Sequence, residues 1–374
     1  VKPVLFVTGH APAYRIGAFT RLHEREEIVV ALFGGRAKHG GPVFEEVMPF
    51  PHLHVRPRAL ARLGSSGDYR AVVCPTGGRV APLASWAGAR AGRVPLLLWA
   101  SLWAHPRTPA HALSYLPLRR LYRSADAVVT YGEHVSAYVR ACGARNVHVA
   151  PQSVDNDFWR AAPSPADAAQ TGAHAQSAGS RAQWRSGARP RFLFVGRDAP
   201  EKGLAGLLDA WRESGLAGDG AALALVGARS SGAPSPPAQI DGVRAVGAAS
   251  PSELRELYRS ADVVVVPSIR TRTFAEPWGL VVNEAMNCGA AVIASDAVGA
   301  AAGGLVRDGV TGAVFAAGDS AALAAAMRRM SADDALRERV ARAGSDAVLA
   351  YSHDAWARGF SDALATVGRS LGRW

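Results

Sequence analysis

Short apolar runs, each closed by glycine, proline or a polar residue, alternate along most of the chain with stretches in which apolar positions recur every three to four residues. The runs at 3–9, 27–34, 69–75, 95–101, 127–132 and 146–152 are apolar at successive positions rather than at alternate ones. That is the pattern of strands covered on both faces, and so of a parallel sheet. Helical spacing at 19–24, 80–91, 112–123 and 133–142 fills most of the intervals. After a break the alternation resumes, with strands at 191–196, 221–227, 243–248, 262–268 and 291–295 and helices at 204–212, 252–259 and 278–288. The order predicts an α/β chain of two doubly wound, Rossmann-like domains, 1–160 and 191–350. Residues 161–190, rich in Ala, Ser, Gly and Gln, read as a linker or mobile loop. In 351–374, Trp356, Phe360, Leu364 and Val367 fall about one turn apart, which predicts a closing helix with one buried stripe.

Composition supports two cores: the 374 residues are 49% hydrophobic, and no apolar run reaches membrane-spanning length. The first residues read as a strand rather than a signal peptide, so the expected location is cytoplasmic. Cys74, Cys142 and Cys288 are odd in number and widely spaced, which indicates neither a disulfide framework nor a thiolate metal site and points to packing residues. The net charge of +11 is uneven: residues 1–160 hold 20 Lys and Arg against 10 Asp and Glu, the remainder 22 against 21. A basic first half attracts phosphates or anionic lipid. No nucleic-acid motif accompanies the charge, and an Arg-rich composition alone would also produce it.

The chemistry concentrates in Phe274-Ala-Glu-Pro-Trp-Gly-Leu-Val-Val-Asn-Glu284. A strand, a loop carrying an acid and a helix N-terminus follow one another here, and unpaired N–H groups at such a terminus suit a diphosphate. Gly279 lets the backbone approach closely. Glu276 and Glu284 are eight positions apart, two helical turns if the helix has begun by Glu276, so both can face one ligand. A second loop, Gly196-Arg197 to Lys202-Gly203, ends a strand with two cations. In the first half, the loop 10–17, with His10, Arg15 and Gly17, and the loop 101–105, ending in His105, leave the carboxyl ends of strands, where ligands of such sheets bind. Asp155-x-Asp157 spells a metal-binding pair, but a turn accounts for it without a metal.

Acid, seven residues, acid, with Gly279, Leu280, Ala285 and Met286 between and after, resembles the signature of the retaining glycosyltransferases of family 4. The resemblance implies the GT-B fold, two Rossmann-like domains facing each other across a cleft with the C-terminal helix crossing back to the first, acceptor-binding domain. It implies that Glu276 binds sugar hydroxyls, that Glu284 binds the ribose, and that Arg197 and Lys202 grip the diphosphate. The implied catalytic set is Glu276, Arg197, Lys202 and His105; the implied donor-binding set is Gly196, Arg197, Lys202, Trp278, Gly279, Leu280, Glu284 and Gly17. The expected donor is a UDP-, GDP- or dTDP-linked sugar, with no metal and no further cofactor. The expected acceptor is a glycan, a glycolipid or a small natural product, including an anionic or lipid-linked one at the membrane surface. A nucleotide-sugar epimerase of the same fold and an inactive partner subunit are the alternatives. Two departures stand out: the first loop lacks the family's Gly-Gly pair and offers only Gly17, and Ala228-Arg229-Ser230 replaces a Gly-x-Gly.

Overall fold

The computed structural model describes residues 1–34, 48–78, 80–162, 190–227 and 240–368. Residues 163–189 of the expected linker at 161–190, and the departure at 228–230, lie outside these residues. In chain order the strands are β1 (Val4–Thr8), β2 (Ile28–Leu32), β3 (His52–His54), β4 (Ala71–Pro75), β5 (Leu96–Ala100), β6 (Ala127–Thr130), β7 (Val147–Val149), β8 (Arg191–Val195), β9 (Ala222–Val226), β10 (Val243–Gly247), β11 (Val263–Val266), β12 (Ala291–Ser295) and β13 (Ala313–Phe315). The helices are α1 (Ala13–Glu26), α2 (Leu60–Ser65), α3 (Ala81–Gly92), α4 (Pro109–Ser124), α5 (Glu133–Ala141), α6 (Asn156–Arg160), α7 (Leu204–Ser214), α8 (Pro251–Ser260), α9 (Leu280–Asn287), α10 (Gly299–Ala302), α11 (Ser320–Ala332), α12 (Asp334–Ala347) and α13 (His353–Gly368).

The chain divides into two units, Val1–Asp155 with Tyr351–Trp374, and Asn156–Ala350. The first is built on a seven-stranded parallel sheet of order β3-β2-β1-β4-β5-β6-β7. Its strands are apolar throughout because helices cover both faces: Val4 and Phe6 of β1 enter one cluster, Leu5 and Val7 the other. Cys74 and Cys142 are buried in the second cluster, and burial pushes the Cys74 thiol up to about 12, as befits an inert packing residue. β3 escaped the sequence pattern because it is three residues long and exposes both histidines.

The first loop is shorter than its sequence implied. α1 begins at Ala13, directly after Pro12 in an extended conformation, so Arg15 and Gly17 are helical rather than loop residues. Proline fixes φ and has no N–H to leave unpaired, which suits a helix entrance.

Helix α13 completes the first unit. Trp356 and Phe360, both fully buried, have ring centroids 4.6 Å apart. Around them stand Phe6, Phe19 and Trp99, at 6.1, 5.6 and 5.8 Å from Trp356. Leu364 and Val367 lie on the same stripe. The helix approaches its neighbours where side chains are absent: a Cβ at Gly359 would overlap the Val149 carbonyl oxygen, and one at Gly17 of α1 would run into the His353 ring.

The second unit has a six-stranded parallel sheet, β10-β9-β8-β11-β12-β13. Val263, Val265, Phe192, Phe194 and Ile293 pack one face against Leu207 and Trp211 of α7 and Leu323 and Met327 of α11. α8 opens on a capping box, Ser250 accepting from the Glu253 N–H while the Glu253 carboxylate accepts from the Ser250 N–H.

Removing the indole at the centre of the aromatic group tests the role of α13. Trp356→Ala should destabilise the first unit by about 3–5 kcal/mol, the range for emptying a large aromatic site. Denaturant titration followed by near-UV circular dichroism would read this as an earlier, separate transition.

Candidate functional site

In the second unit the chain leaves the middle of the sheet in two directions. From β8 it passes through α7 to β9 on one side, and from β11 through α9 to β12 on the other. Loops that part in this way leave a crevice beyond the carboxyl ends of the two strands, where ligands of open α/β sheets bind. Lys202 comes from the loop after β8 and Glu276 from the loop after β11.

Both loops are fixed by close backbone packing. Pro200 opens a short 3-10 turn, and Gly203 ends it at φ 70°, where a Cβ would overlap the Pro267 carbonyl oxygen. Only glycine accepts both the conformation and the approach. The Ile269 N–H donates to the Glu201 carbonyl at 3.0 Å and ties the loops together. In the second loop Glu276 forms a parallel bridge with Val298, and Gly299 lies so close beneath Pro277 that a side chain there would meet its carbonyl. The Ala300 N–H donates to the Trp278 carbonyl at 2.8 Å.

This geometry changes the relation of the two acids. Glu276 is extended, because a residue before proline is driven from the helical region, and Gly279, at φ 91°, caps a helix that starts only at Leu280. Glu284 therefore stands in the second turn of α9, but Glu276 is not two turns below it on the same helix.

Lys202 Nζ donates to Glu276 Oε2 at 2.5 Å, with side chains 24% and 10% exposed. Ser268 Oγ donates to the same oxygen at 3.4 Å, and Ser295 Oγ donates in turn to the Ser268 carbonyl. Arg197, whose side chain is 70% exposed, reaches Glu201 at 3.2 Å. Gly196 directly follows β8, its N–H on the Val226 carbonyl. Trp278 is buried, with its indole N–H on Asn283 Oδ1 at 2.7 Å, so it fixes the start of α9 rather than presenting a ring to a ligand.

Glu284 has a different environment. Burial pushes its carboxyl up to about 7, and a hydrogen bond from the Tyr258 hydroxyl, 2.7 Å from Oε2, partly opposes that shift. Tyr258, on α8, is itself fully buried and packs edge-on against Trp159 of α6 at 5.6 Å. Neither Tyr258 nor the two serines carried a sequence signal. Tyr258 occupies an ordinary apolar position of an amphipathic helix, and Ser268 merely follows the breaker that closes β11.

In the first unit, Arg15 is buried, donates to Gln152 Oε1 and lies 5.0 Å from the Trp99 ring centroid, an interior position rather than a loop one. Gly17 faces His353, whose Nδ1 is 3.0 Å from Ser153 Oγ. His105 has both ring nitrogens engaged, Nδ1 3.1 Å from the Tyr138 hydroxyl and Nε2 2.7 Å from the His111 carbonyl, and packs against Tyr115. No group of three or more His, Cys, Asp or Glu that could hold a metal ion occurs among the described residues, and no helix among them is long and apolar enough to cross a membrane.

Residues 179–346 match the family described as Glycosyl transferases group 1. A phosphatidyl-myo-inositol mannosyltransferase of Mycobacterium leprae is 37% identical over 166 residues, 42% of this chain and 42% of that protein. An alpha-maltose-1-phosphate synthase of Mycobacterium tuberculosis is 32% identical over 219 residues, 53% of this chain and 51% of that one. The chain thus spans about half the length of the curated relatives it matches. Among solved structures, Anabaena HepE in complex with UDP and glucose superimposes with a TM-score of 0.71 at 18% identity, covering 98% of this chain and 100% of that one. Sucrose-phosphate synthase of Thermosynechococcus elongatus does so with 0.71 at 19%, covering 99% and 100%. At such identities the likeness is one of fold. Two Rossmann-like units, with the last helix belonging to the first, are the GT-B architecture.

Proposed function

We propose that the chain transfers a sugar from a nucleoside diphosphate donor to a hydroxyl acceptor with retention of anomeric configuration, as a member of the retaining family 4 its motif resembles. The observation that carries this reading is the Lys202–Glu276 pair, an ammonium and a carboxylate held over the switch point of a sheet within the segment that matches the glycosyltransferase family. UDP and glucose in the HepE structure support the donor class.

In this reading Lys202, with three N–H donors and one of them on Glu276, turns the others to the donor diphosphate. Arg197, exposed beside it, adds a second cation, and the amides at the start of α9 after Gly279 and Leu280 complete the anion site, with Gly196 giving the diphosphate room. Glu276 accepts from sugar hydroxyls. The bond from the anomeric carbon to the phosphate oxygen breaks, the acceptor oxygen bonds to that carbon from the same face, and its proton passes to the leaving phosphate. Cations that meet the growing negative charge lower the barrier more than they strengthen ground-state binding. Glu284 holds the ribose hydroxyls. The acceptor is an anionic or lipid-linked molecule at the cytoplasmic membrane surface, in keeping with the basic first half.

Three outcomes follow. Lys202→Ala should lower the rate at saturating donor by about ten- to a hundredfold, the worth of one charge-assisted hydrogen bond to phosphate, and weaken donor binding less. Initial rates across donor concentration would show it, and an unchanged rate constant in the folded variant would remove Lys202 from the mechanism.

Because burial raises the Glu284 carboxyl to about 7, its contribution to folding is full below the ordinary carboxylate range and is lost as pH rises through about 7. Glu284→Gln should therefore be the more stable chain at alkaline pH, by on the order of 3 kcal/mol, while binding nucleotide more weakly. Wild-type nucleotide affinity should rise as the carboxylate ionises. Tyr258→Phe, which removes the opposing hydrogen bond, should move that rise to higher pH, as calorimetry over a pH series would reveal.

Turnover should persist in excess EDTA. Loss of activity with recovery on adding Mg²⁺ or Mn²⁺ would require a metal at the diphosphate.

A further inference from the structure

The first unit presents a surface that the reaction above does not use. α4 turns Leu113 and Leu116 outward, 82% and 70% exposed, one turn apart, and α3 adds Leu83 at 49%. Between the two helices runs a groove of about 760 Å³, lined by Leu83, Trp86 and Leu116 and by three guanidinium-bearing residues, Arg119, Arg120 and Arg123. Apolar side chains exposed singly are ordinary, but a contiguous group rimmed by one sign of charge marks an interaction surface. From residue 69 to residue 125 the chain carries eight arginines and neither Asp nor Glu. Of these, Arg70 is paired with Glu26 at 2.5 Å, and Arg119, Arg120 and Arg123 are the ones that line the groove.

We propose that the face formed by α3 and α4 docks on an anionic lipid bilayer. α4, 16 residues long and capped by the Thr108 side chain, lies along the interface, with Leu113, Leu116 and Leu83 entering the boundary between headgroups and acyl chains. Arg119, Arg120 and Arg123 reach headgroup phosphates, and their long stems let the charge stay in the polar layer while the methylenes cover apolar surface. Charge complementarity selects this occupant: the groove offers guanidinium and hydrocarbon together, which an anionic bilayer matches along its whole surface and a soluble acidic peptide matches only in its charge. Pro117, inside the helix, can supply no N–H to the Leu113 carbonyl one turn back. The proposal rests on the acceptor reading above in giving it a membrane location, yet its test requires no sugar transfer.

The test is co-sedimentation of the full chain with vesicles of phosphatidylcholine alone and of phosphatidylcholine with phosphatidylglycerol, over a range of salt. Binding is expected to the anionic vesicles only, weakening as salt rises past physiological strength. Arg119→Gln, Arg120→Gln and Arg123→Gln together should lower partitioning about a hundredfold, roughly fivefold for each charge removed from the surface. Leu113→Ser with Leu116→Ser, both at exposed positions, should lower it about tenfold without changing circular dichroism or nucleotide binding. Equal binding to both vesicle types, binding to neither, or retention by the variants would overturn the proposal. So would Leu113- and Leu116-dependent self-association in sedimentation velocity without lipid, which would assign the face to a second copy of the chain. Vesicle binding by a chain that binds no nucleotide sugar would overturn the glycosyl-transfer reading and leave the docking surface standing.

Discussion

An ammonium and a carboxylate withdrawn from water are each costly, and the pair is tolerable only when the two meet with good geometry and the remaining lone pairs are engaged. Lys202 and Glu276 satisfy this condition, with Ser268 on the same carboxylate oxygen and Ser295 holding the Ser268 carbonyl. The contact in turn needs two loops to lie almost backbone to backbone, which Gly203 against Pro267 and Gly299 against Pro277 permit. Those loops diverge only because β8 and β11 are neighbours whose chains run on to opposite sides of the sheet. The topology, the glycines and the charges are therefore one constraint seen at three scales.

Much of the fold was legible because strands buried on both faces must be apolar at consecutive positions, as Val263–Val266 and Ala291–Ser295 are. The last helix was legible too, since Trp356, Phe360, Leu364 and Val367 repeat at helical spacing and all four are buried. β3 and the start of α1 were not. β3 is too short to show a period, and the start of α1 was hidden by Pro12 and Gly17, which read as loop residues.

The site divides along a similar line. Glu276, Glu284, Arg197 and Lys202 could be singled out as candidates because their spelling and glycine neighbours resemble a family signature that is local in sequence. What they touch could not, because Tyr258 with Glu284 and Ser268 with Ser295 are joined across elements distant in sequence. Arg15 shows how placement escapes the sequence: it reads as a loop charge but lies in α1. A charged residue after a glycine-ended strand looks like a ligand contact, yet its place inside α1 puts the guanidinium against Trp99 and Gln152 within the unit.

Helix α13 imposes an order of events on synthesis. The face of the first sheet that carries Phe6 and Trp99, with Phe19 of α1 beside it, receives part of its cover from residues that follow the whole of Asn156–Ala350. A ribosome adding about 5–20 residues per second delivers that cover only after the whole second unit. The unit built on β1–β7 emerges before the other yet is completed after it, and until then an aromatic surface meant for the interior stands open to water and to other nascent chains.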